Sequence, residues 1–184
     1  MKTGIVLYKT KYGTTKKYAE WLSVALGFDS EDISEFDGLS ENYDTIILCG
    51  GVYATGIGCL PFLKKHYKEF SGKRLAIFAV GASPYDEIAF RALKEHNLKG
   101  ELKDIPLFYG RGAWRQDEMT FIDRTLCKIL QKAVSKKDPA TYEPWEQALM
   151  ACKGQNADWS EKSYLDPVIE WYRNTPKNSD ENKG

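Results

Sequence analysis

Gly4-Ile5-Val6-Leu7-Tyr8-Lys9-Thr10-Lys11-Tyr12-Gly13-Thr14-Thr15 passes from an apolar run through a hydroxyl-rich turn into a helical pattern. The run from 4 to 8 has no polar alternation, the mark of a strand buried on both faces, as parallel strands are. Over residues 14–26, Tyr18, Trp21, Leu22 and Ala25 recur at spacings of three and four, the stripe of an amphipathic helix. The turn between strand and helix aims backbone N–H groups, threonine hydroxyls and a helix N-terminus at one point, which is how a phosphate is held. Gly13 lets the backbone come close, and Thr10 and Thr15 can donate hydroxyl hydrogen bonds. A dinucleotide fingerprint requires three glycines at fixed offsets, and a triphosphate loop requires Gly-Lys-Ser/Thr. Neither pattern is present, so the turn suits a monophosphate. A helix cap built of threonines is the competing reading of the same residues. Lys9, Lys11, Lys16 and Lys17 crowd this turn, either tightening an anion or simply solvated.

Short apolar runs and helical patterns then alternate. A weak strand is expected around Ile33, a strong one over Thr45-Ile46-Ile47-Leu48-Cys49, and a helix over 60–70 that begins near Pro61, a favoured first-turn residue. Leu75 to Val80 reads as a strand stopped by Gly81, and residues 85–96 as a helix with Ile88, Ala89, Ala92 and Leu93 facing inward. Ile105 to Tyr109 reads as the last strand. A long amphipathic helix over 117–134 carries the stripe Met119, Ile122, Leu126, Ile129, Leu130 and Ala133. Strands alternating with helices imply right-handed crossovers and a parallel sheet covered on both faces, an α/β three-layer sandwich. Five strands suit the doubly wound order 2-1-3-4-5. The pattern changes at Lys136-Lys137-Asp138-Pro139. Beyond it, residues 142–151 and 164–173 read as two short helices, in a region that carries Trp145, Trp159 and Trp171. The expected organisation is a domain over 1–135, a helical extension over 136–173 packed on it, and a polar, disordered tail over 174–184.

In a doubly wound sheet the loops at the strands' carboxyl ends converge on the ligand. After the third strand comes Gly50-Gly51-Val52-Tyr53-Ala54-Thr55-Gly56-Ile57-Gly58. A flat ring needs stacking contacts and backbone donors, for which Gly51, Val52, Tyr53 and Ala54 are candidates. Gly56 or Gly58 could permit an unusual peptide orientation. The plainer reading is a glycine-rich turn with a surface tyrosine. Gly81-Ala82-Ser83-Pro84-Tyr85 follows the fourth strand, and Ser83 is also a credible N-cap. Arg111 and Trp114, after the fifth strand, are candidate contacts to a substrate or cofactor. Arg111 and Arg115 can equally pair with Asp117 and Glu118.

Lys plus Arg and Asp plus Glu number 26 each, so the chain lacks the basic excess of a nucleic-acid binder. Cys49, Cys59, Cys127 and Cys152 are scattered, and with only His66 and His96 beside them no zinc spacing exists. No metal site is expected. Neither a signal peptide nor a membrane span is legible, so a cytoplasmic location is the simple expectation. No Ser-His-Asp, Cys-His or paired-carboxylate constellation appears, as expected where a cofactor carries the chemistry and no side chain is the catalyst.

The hydroxyl-x-x-Gly-x-hydroxyl arrangement of Thr10 to Thr15, with the glycine-bearing loops after the third and fourth strands, resembles the flavodoxin superfamily. The resemblance implies a flavodoxin-like fold and FMN, its phosphate on Thr10, Lys11, Tyr12, Gly13, Thr14 and Thr15. The ring would lie between Gly51–Ala54 and Gly81, Ala82, Ser83 and Tyr85. Further stretches resemble the branch that includes menaquinone-dependent protoporphyrinogen dehydrogenase: the loop 50–56, Phe62-Leu63-Lys64-Lys65-His66, and Tyr109-Gly110-Arg111-Gly112 with the helix after it. Three departures separate the chain from those enzymes. The path from Val80 to Ile105 lacks their long basic insertion, the helix 117–134 includes Asp117, Glu118 and Asp123 rather than a basic face, and the segment from 136 has no counterpart. The resemblance implies an FMN-dependent oxidoreductase acting on a small molecule such as a quinone or protoporphyrinogen. An electron carrier with protein redox partners is the alternative, though carriers of that type are strongly acidic and this chain is neutral. A fold that has changed or lost its ligand is the third reading. A homodimer is compatible with all three.

Overall fold

The computed structural model describes residues 3–38 and 40–175. Its centre is a parallel sheet of β1 (Gly4–Lys9), β2 (Asp29–Asp32), β3 (Thr45–Tyr53), β5 (Arg74–Gly81) and β6 (Leu107–Arg111), in spatial order β2-β1-β3-β5-β6. A short β4 (Gly56–Ile57) turns back antiparallel on β3, pairing Val52 with Ile57. Numbered without that hairpin, the order is the expected 2-1-3-4-5. The chain reverses direction of travel across the sheet between β1 and β3, which opens a crevice at their carboxyl ends.

Two strands depart from the expected bounds. β2 is Asp-Ser-Glu-Asp and ends before Ile33, whose N–H bonds the Tyr8 carbonyl at 3.0 Å as the strand turns away. As a half-exposed edge strand it is held by its ladder with β1 rather than by apolar residues, so no hydrophobic pattern announces it. β6 starts two residues late and runs on through Gly110. A Cβ there would lie 2.6 Å from Phe78 Cζ, so only glycine lets β6 pass beside that ring.

One face of the sheet, built on Ile5, Leu7, Ile46, Leu48 and Ile77, is covered by α2 (Leu60–His66) and α3 (Glu87–Asn97) with the segment that follows it. The other face shows Val6, Ile47, Cys49, Ala76 and Phe78. α1 (Thr14–Leu26) covers part of it with Tyr18, Ala19 and Leu22. The rest is covered by Leu165 and Val168, from a 3-10 turn (Lys162–Leu165) and α6 (Asp166–Asn174). Arg74 fixes this cover: its Nη2 donates to the Tyr172 carbonyl at 2.5 Å, and its guanidinium lies over the Tyr172 and Trp171 rings.

The helix after the last parallel strand does not take the place that a doubly wound fold predicts for it. α4 (Phe121–Val134) begins four residues later than expected, where the Thr120 hydroxyl accepts the Asp123 N–H, and contributes no residue to either core cluster. It packs on α5 (Pro144–Ala151), burying Gln131 and Val134. Its stripe of Ile122, Leu126, Ile129 and Leu130 faces solvent. On α3 too, Ile88, Ala89 and Ala92 are exposed, contrary to the inward face expected for them, and of the four only Leu93 packs on the core. A two-stranded ribbon of β7 (Ala113–Trp114) and β8 (Ala157–Asp158) joins the end of β6 to the extension. Most of the expected tail over 174–184 lies outside the described residues.

Candidate functional site

The turn from β1 to α1 lies at the crevice. Gly13 is the N-cap of α1 in a left-handed conformation (φ 84°) with no side-chain cap, which leaves the first N–H groups of the helix pointing outward. Thr10 closes the turn from within, its Oγ1 accepting the Gly13 N–H at 3.0 Å. Thr14 and Thr15 are nearly buried, yet among the described residues neither hydroxyl has a hydrogen-bond partner. Threonines acting only as a cap would be bonded to the backbone; these are available to something else. Unsatisfied N–H groups, free hydroxyls and a helix dipole form a cradle for an anion.

The four lysines around this turn are not uniformly solvated. Lys17 Nζ reaches Asp158 at 3.1 Å and Ser160 at 2.7 Å, in the extension. Lys11 and the Tyr12 hydroxyl both bond the Asp123 carboxylate at the start of α4. These two bonds, Lys11 first, hold the Asp123 carboxyl below the usual carboxylate range, and the Lys11 ammonium is raised in turn by the same hydrogen bond. Lys16 makes only a loose 3.8 Å pair with Glu20.

The second wall is the β3–β4 hairpin. The glycines that matter there are Gly50 and Gly51, not Gly56 or Gly58. A Cβ on Gly50 would meet Cys59 Sγ at 2.7 Å, and one on Gly51 would meet the Tyr53 ring at 2.8–2.9 Å. The positive φ of the hairpin falls on Ala54 (53°), where a non-glycine residue is uncommon. Buried Asn97 at the end of α3 clamps this turn: its Nδ2 donates to the Thr55 carbonyl at 2.6 Å and its Oδ1 accepts from Ile57 N at 3.3 Å. Tyr53 folds over Gly51, half exposed, with Lys11 Nζ 5.9 Å from its ring centre, so the hairpin meets the β1–α1 turn.

The third wall is Gly81, Ala82, Ser83 and Tyr85. The Tyr109 hydroxyl donates to the Ser83 carbonyl at 2.7 Å and occupies the space that a Cβ on Gly81 would need. Asp86, not Ser83, caps α3, its Oδ1 accepting from Ala89 N at 2.8 Å. The exposed Tyr85 ring lies 6.3 Å from that of Tyr109. The crevice thus gathers the predicted residues Thr10–Thr15, Gly51–Ala54, Gly81–Ser83 and Tyr85.

Arg111 is tied into the fold. Its Nε donates to the Ala82 carbonyl at 3.1 Å, its guanidinium stacks 3.9 Å from the Trp159 ring centre, and its carbonyl accepts from the Tyr18 hydroxyl at 2.6 Å. Burial pushes that Tyr18 phenol up to about 12. Trp114 pairs with Ala157 in the β7–β8 ribbon, and its buried indole N–H has no acceptor among the described residues. Arg115 pairs with Glu118 at 3.1 Å, whereas Asp117 is met by Asn156. Asn97 and Asp123 were not legible as site residues, because their partners lie 40 and 112 positions away.

Residues 5–141 match the family described as flavodoxin domain. The chain belongs to that family. No curated protein matches this flavodoxin-domain chain. Among solved structures, it is similar to the Trp repressor binding protein from Bacillus subtilis, at 15% identity over 60% of this chain and 85% of the other, TM-score 0.45. It is also similar to the WrbA-like flavodoxin from Agrobacterium tumefaciens, at 17% identity over 67% and 88%, TM-score 0.40. A third is the Fusobacterium nucleatum flavodoxin bound to flavin mononucleotide, at 20% identity over 58% and 69%, TM-score 0.39. The matched segment of the flavodoxin-domain protein ends before α5, β8 and α6.

Proposed function

We propose that this flavodoxin-domain protein is an FMN-binding oxidoreductase whose cofactor lies in the crevice at the carboxyl ends of β1, β3 and β5. The observation that carries the reading is the turn Thr10–Thr15, an uncapped helix start with two threonine hydroxyls that have no partner among the described residues. Those groups fit a phosphate monoester. The turn lacks the glycine spacing by which a pyrophosphate is approached. Gly51–Ala54 and Gly81–Tyr85 would flank the ring, with Tyr53 and Tyr85 the aromatics within reach. When bound, FMN supplies the group that accepts and donates electrons. The chain's own residues bind the phosphate, hold the two flanking loops and leave an open edge. Asn97 holds the hairpin wall in one conformation, and Tyr109 fixes the Ser83 peptide.

The neutral charge favours a small-molecule acceptor over protein partners, which are steered by strong acidic fields. Exposed tyrosines at the edge suit a flat acceptor such as a quinone or a porphyrin precursor. Titration with FMN, FAD and riboflavin, followed by flavin fluorescence, tests the cofactor. FMN should bind tightest, and preference for FAD or absence of binding in excess FMN refutes the reading. The reduced holoprotein is then mixed with quinones, protoporphyrinogen and one-electron protein acceptors. Saturable two-electron turnover with a small molecule supports the enzyme, and reoxidation by protein acceptors alone supports a carrier.

A further inference from the structure

α4 presents two solvent faces that no part of the described chain covers. Ile122, Leu126, Ile129 and Leu130 are 69%, 59%, 61% and 44% exposed, and Phe121 at the helix start is 85% exposed. They recur at spacings of three and four from Ile122 to Leu130 on the 14-residue helix, a stripe about 12 Å long. Beside it runs a cationic face. Lys128 and Lys132, together with Lys153, line a recess of about 400 Å³ completed by Gln116, Gln131 and Ser135. No carboxylate lines this recess. The acids of this segment are all paired: Asp117 with Asn156, Glu118 with Arg115 in the same segment, and Asp123 with Lys11 and Tyr12. α4 itself, whose one acid is the paired Asp123, is therefore mainly basic and apolar where it meets water.

We infer that α4 is a docking helix for an anionic phospholipid surface, its apolar stripe entering the interface while Lys128, Lys132 and Lys153 meet lipid phosphates. An amphipathic helix with apolar and lysine-rich faces lies in the plane of a membrane in this way. It needs no membrane span, and none of the described helices is long and apolar enough to be one. Charge selects this occupant over a second copy. A two-fold contact along the stripe would set the basic flank of α4 against its own copy. The inference is independent of the cofactor, since the residues involved lie outside the crevice.

Co-sedimentation with vesicles of phosphatidylcholine alone, or mixed with phosphatidylglycerol, tests it on the full chain. Binding should appear only with phosphatidylglycerol and weaken as salt is raised. Lys128→Gln with Lys132→Gln should reduce it about 25-fold, at about fivefold for each lysine. Ile129→Ser with Leu126→Ser should reduce it at least as far. All four side chains are on the surface, and circular dichroism checks that the variants fold. Equal binding to both vesicle types, binding unaffected by either pair, or no binding at low salt overturns the inference. A dimer dissociated by the Ile129 and Leu126 changes, without vesicle binding, assigns the stripe to a second copy instead. Binding of inorganic phosphate without vesicle binding reduces the recess to an anion site and likewise overturns it.

Discussion

At the scale of single residues, the crevice depends on groups whose bonds are either missing or unusually complete. Among the described residues the Thr15 hydroxyl has no protein partner, so Thr15→Ala breaks no hydrogen bond of the fold while it removes one donor to a bound phosphate. FMN binding should weaken by about 1–3 kcal/mol, the range for a charge-assisted bond. Riboflavin, which has no phosphate, should bind the two proteins alike. Calorimetric titration of both ligands checks this, and equal losses would place the phosphate elsewhere. Asn97 is the opposite case. Asn97→Ala leaves the Ile57 N–H and the Thr55 carbonyl without their partner, which should cost about 1–3 kcal/mol in urea unfolding. Thr10 to Thr15 were readable because the whole device is local: one strand end, one glycine and one helix start are contiguous in the chain. Asn97 was not, because a polar residue at a helix end looks like a surface residue until the hairpin folds against it. In the sequence, Gly56 and Gly58 are the natural places for an unusual peptide orientation, because glycine tolerates a positive φ. It falls on Ala54, in the tip fixed by the β3–β4 pairing.

At the scale of elements, what could be read was the pattern, and what could not was the direction a pattern faces. The strands announced themselves as apolar runs, except β2, whose polar residues are held by the ladder. The stripe on α4 was legible residue by residue, but periodicity says only that one face is apolar, not what that face meets. The contrast with α6 gives a direct check. Leu165→Ala, at the start of the cover supplied by α6, should cost about 2–5 kcal/mol. Leu130→Ala on α4 should change stability by no more than about 0.5 kcal/mol. An equally large cost at Leu130 would mean that α4 is buried as well, and an equally small one at Leu165 that α6 does not cover the sheet. α5 carries a pH-sensitive contact. Buried Glu146 accepts from Lys137 at 2.5 Å and from its own N-cap backbone, and these bonds hold its carboxyl below the ordinary range. A depressed folded value means stability that is present above the unfolded pKa, about 4.3, and lost as pH falls through the folded one. The melting temperature should therefore fall below about pH 4. In Glu146→Gln it should start lower at neutral pH and lose less on acidification.

At the scale of the whole molecule, the family match ends at residue 141, whereas the sheet's cover does not. A chain cut there keeps every strand of the parallel sheet and loses the residues that shield Val6, Ile47 and Phe78 on one face. Such a fragment should bind a hydrophobic dye and associate, whereas the full chain should do neither to the same degree; a well-behaved monomeric fragment would show that the extension is dispensable. The extension is also stitched to the crevice: Lys17 reaches Asp158, Trp159 stacks on Arg111, and the Tyr18 hydroxyl accepts the Glu161 N–H at 3.1 Å. The placement of α6 has a further consequence for how the protein is made. Synthesis runs from β1 toward α6, and domains begin to fold as they emerge from the ribosome. Phe28, translated early, is covered by Tyr172, translated more than a hundred codons later, their ring centres 4.9 Å apart. A growing chain therefore carries one open side of its sheet through most of translation. Of the described helices, the last to leave the ribosome is the one that closes it.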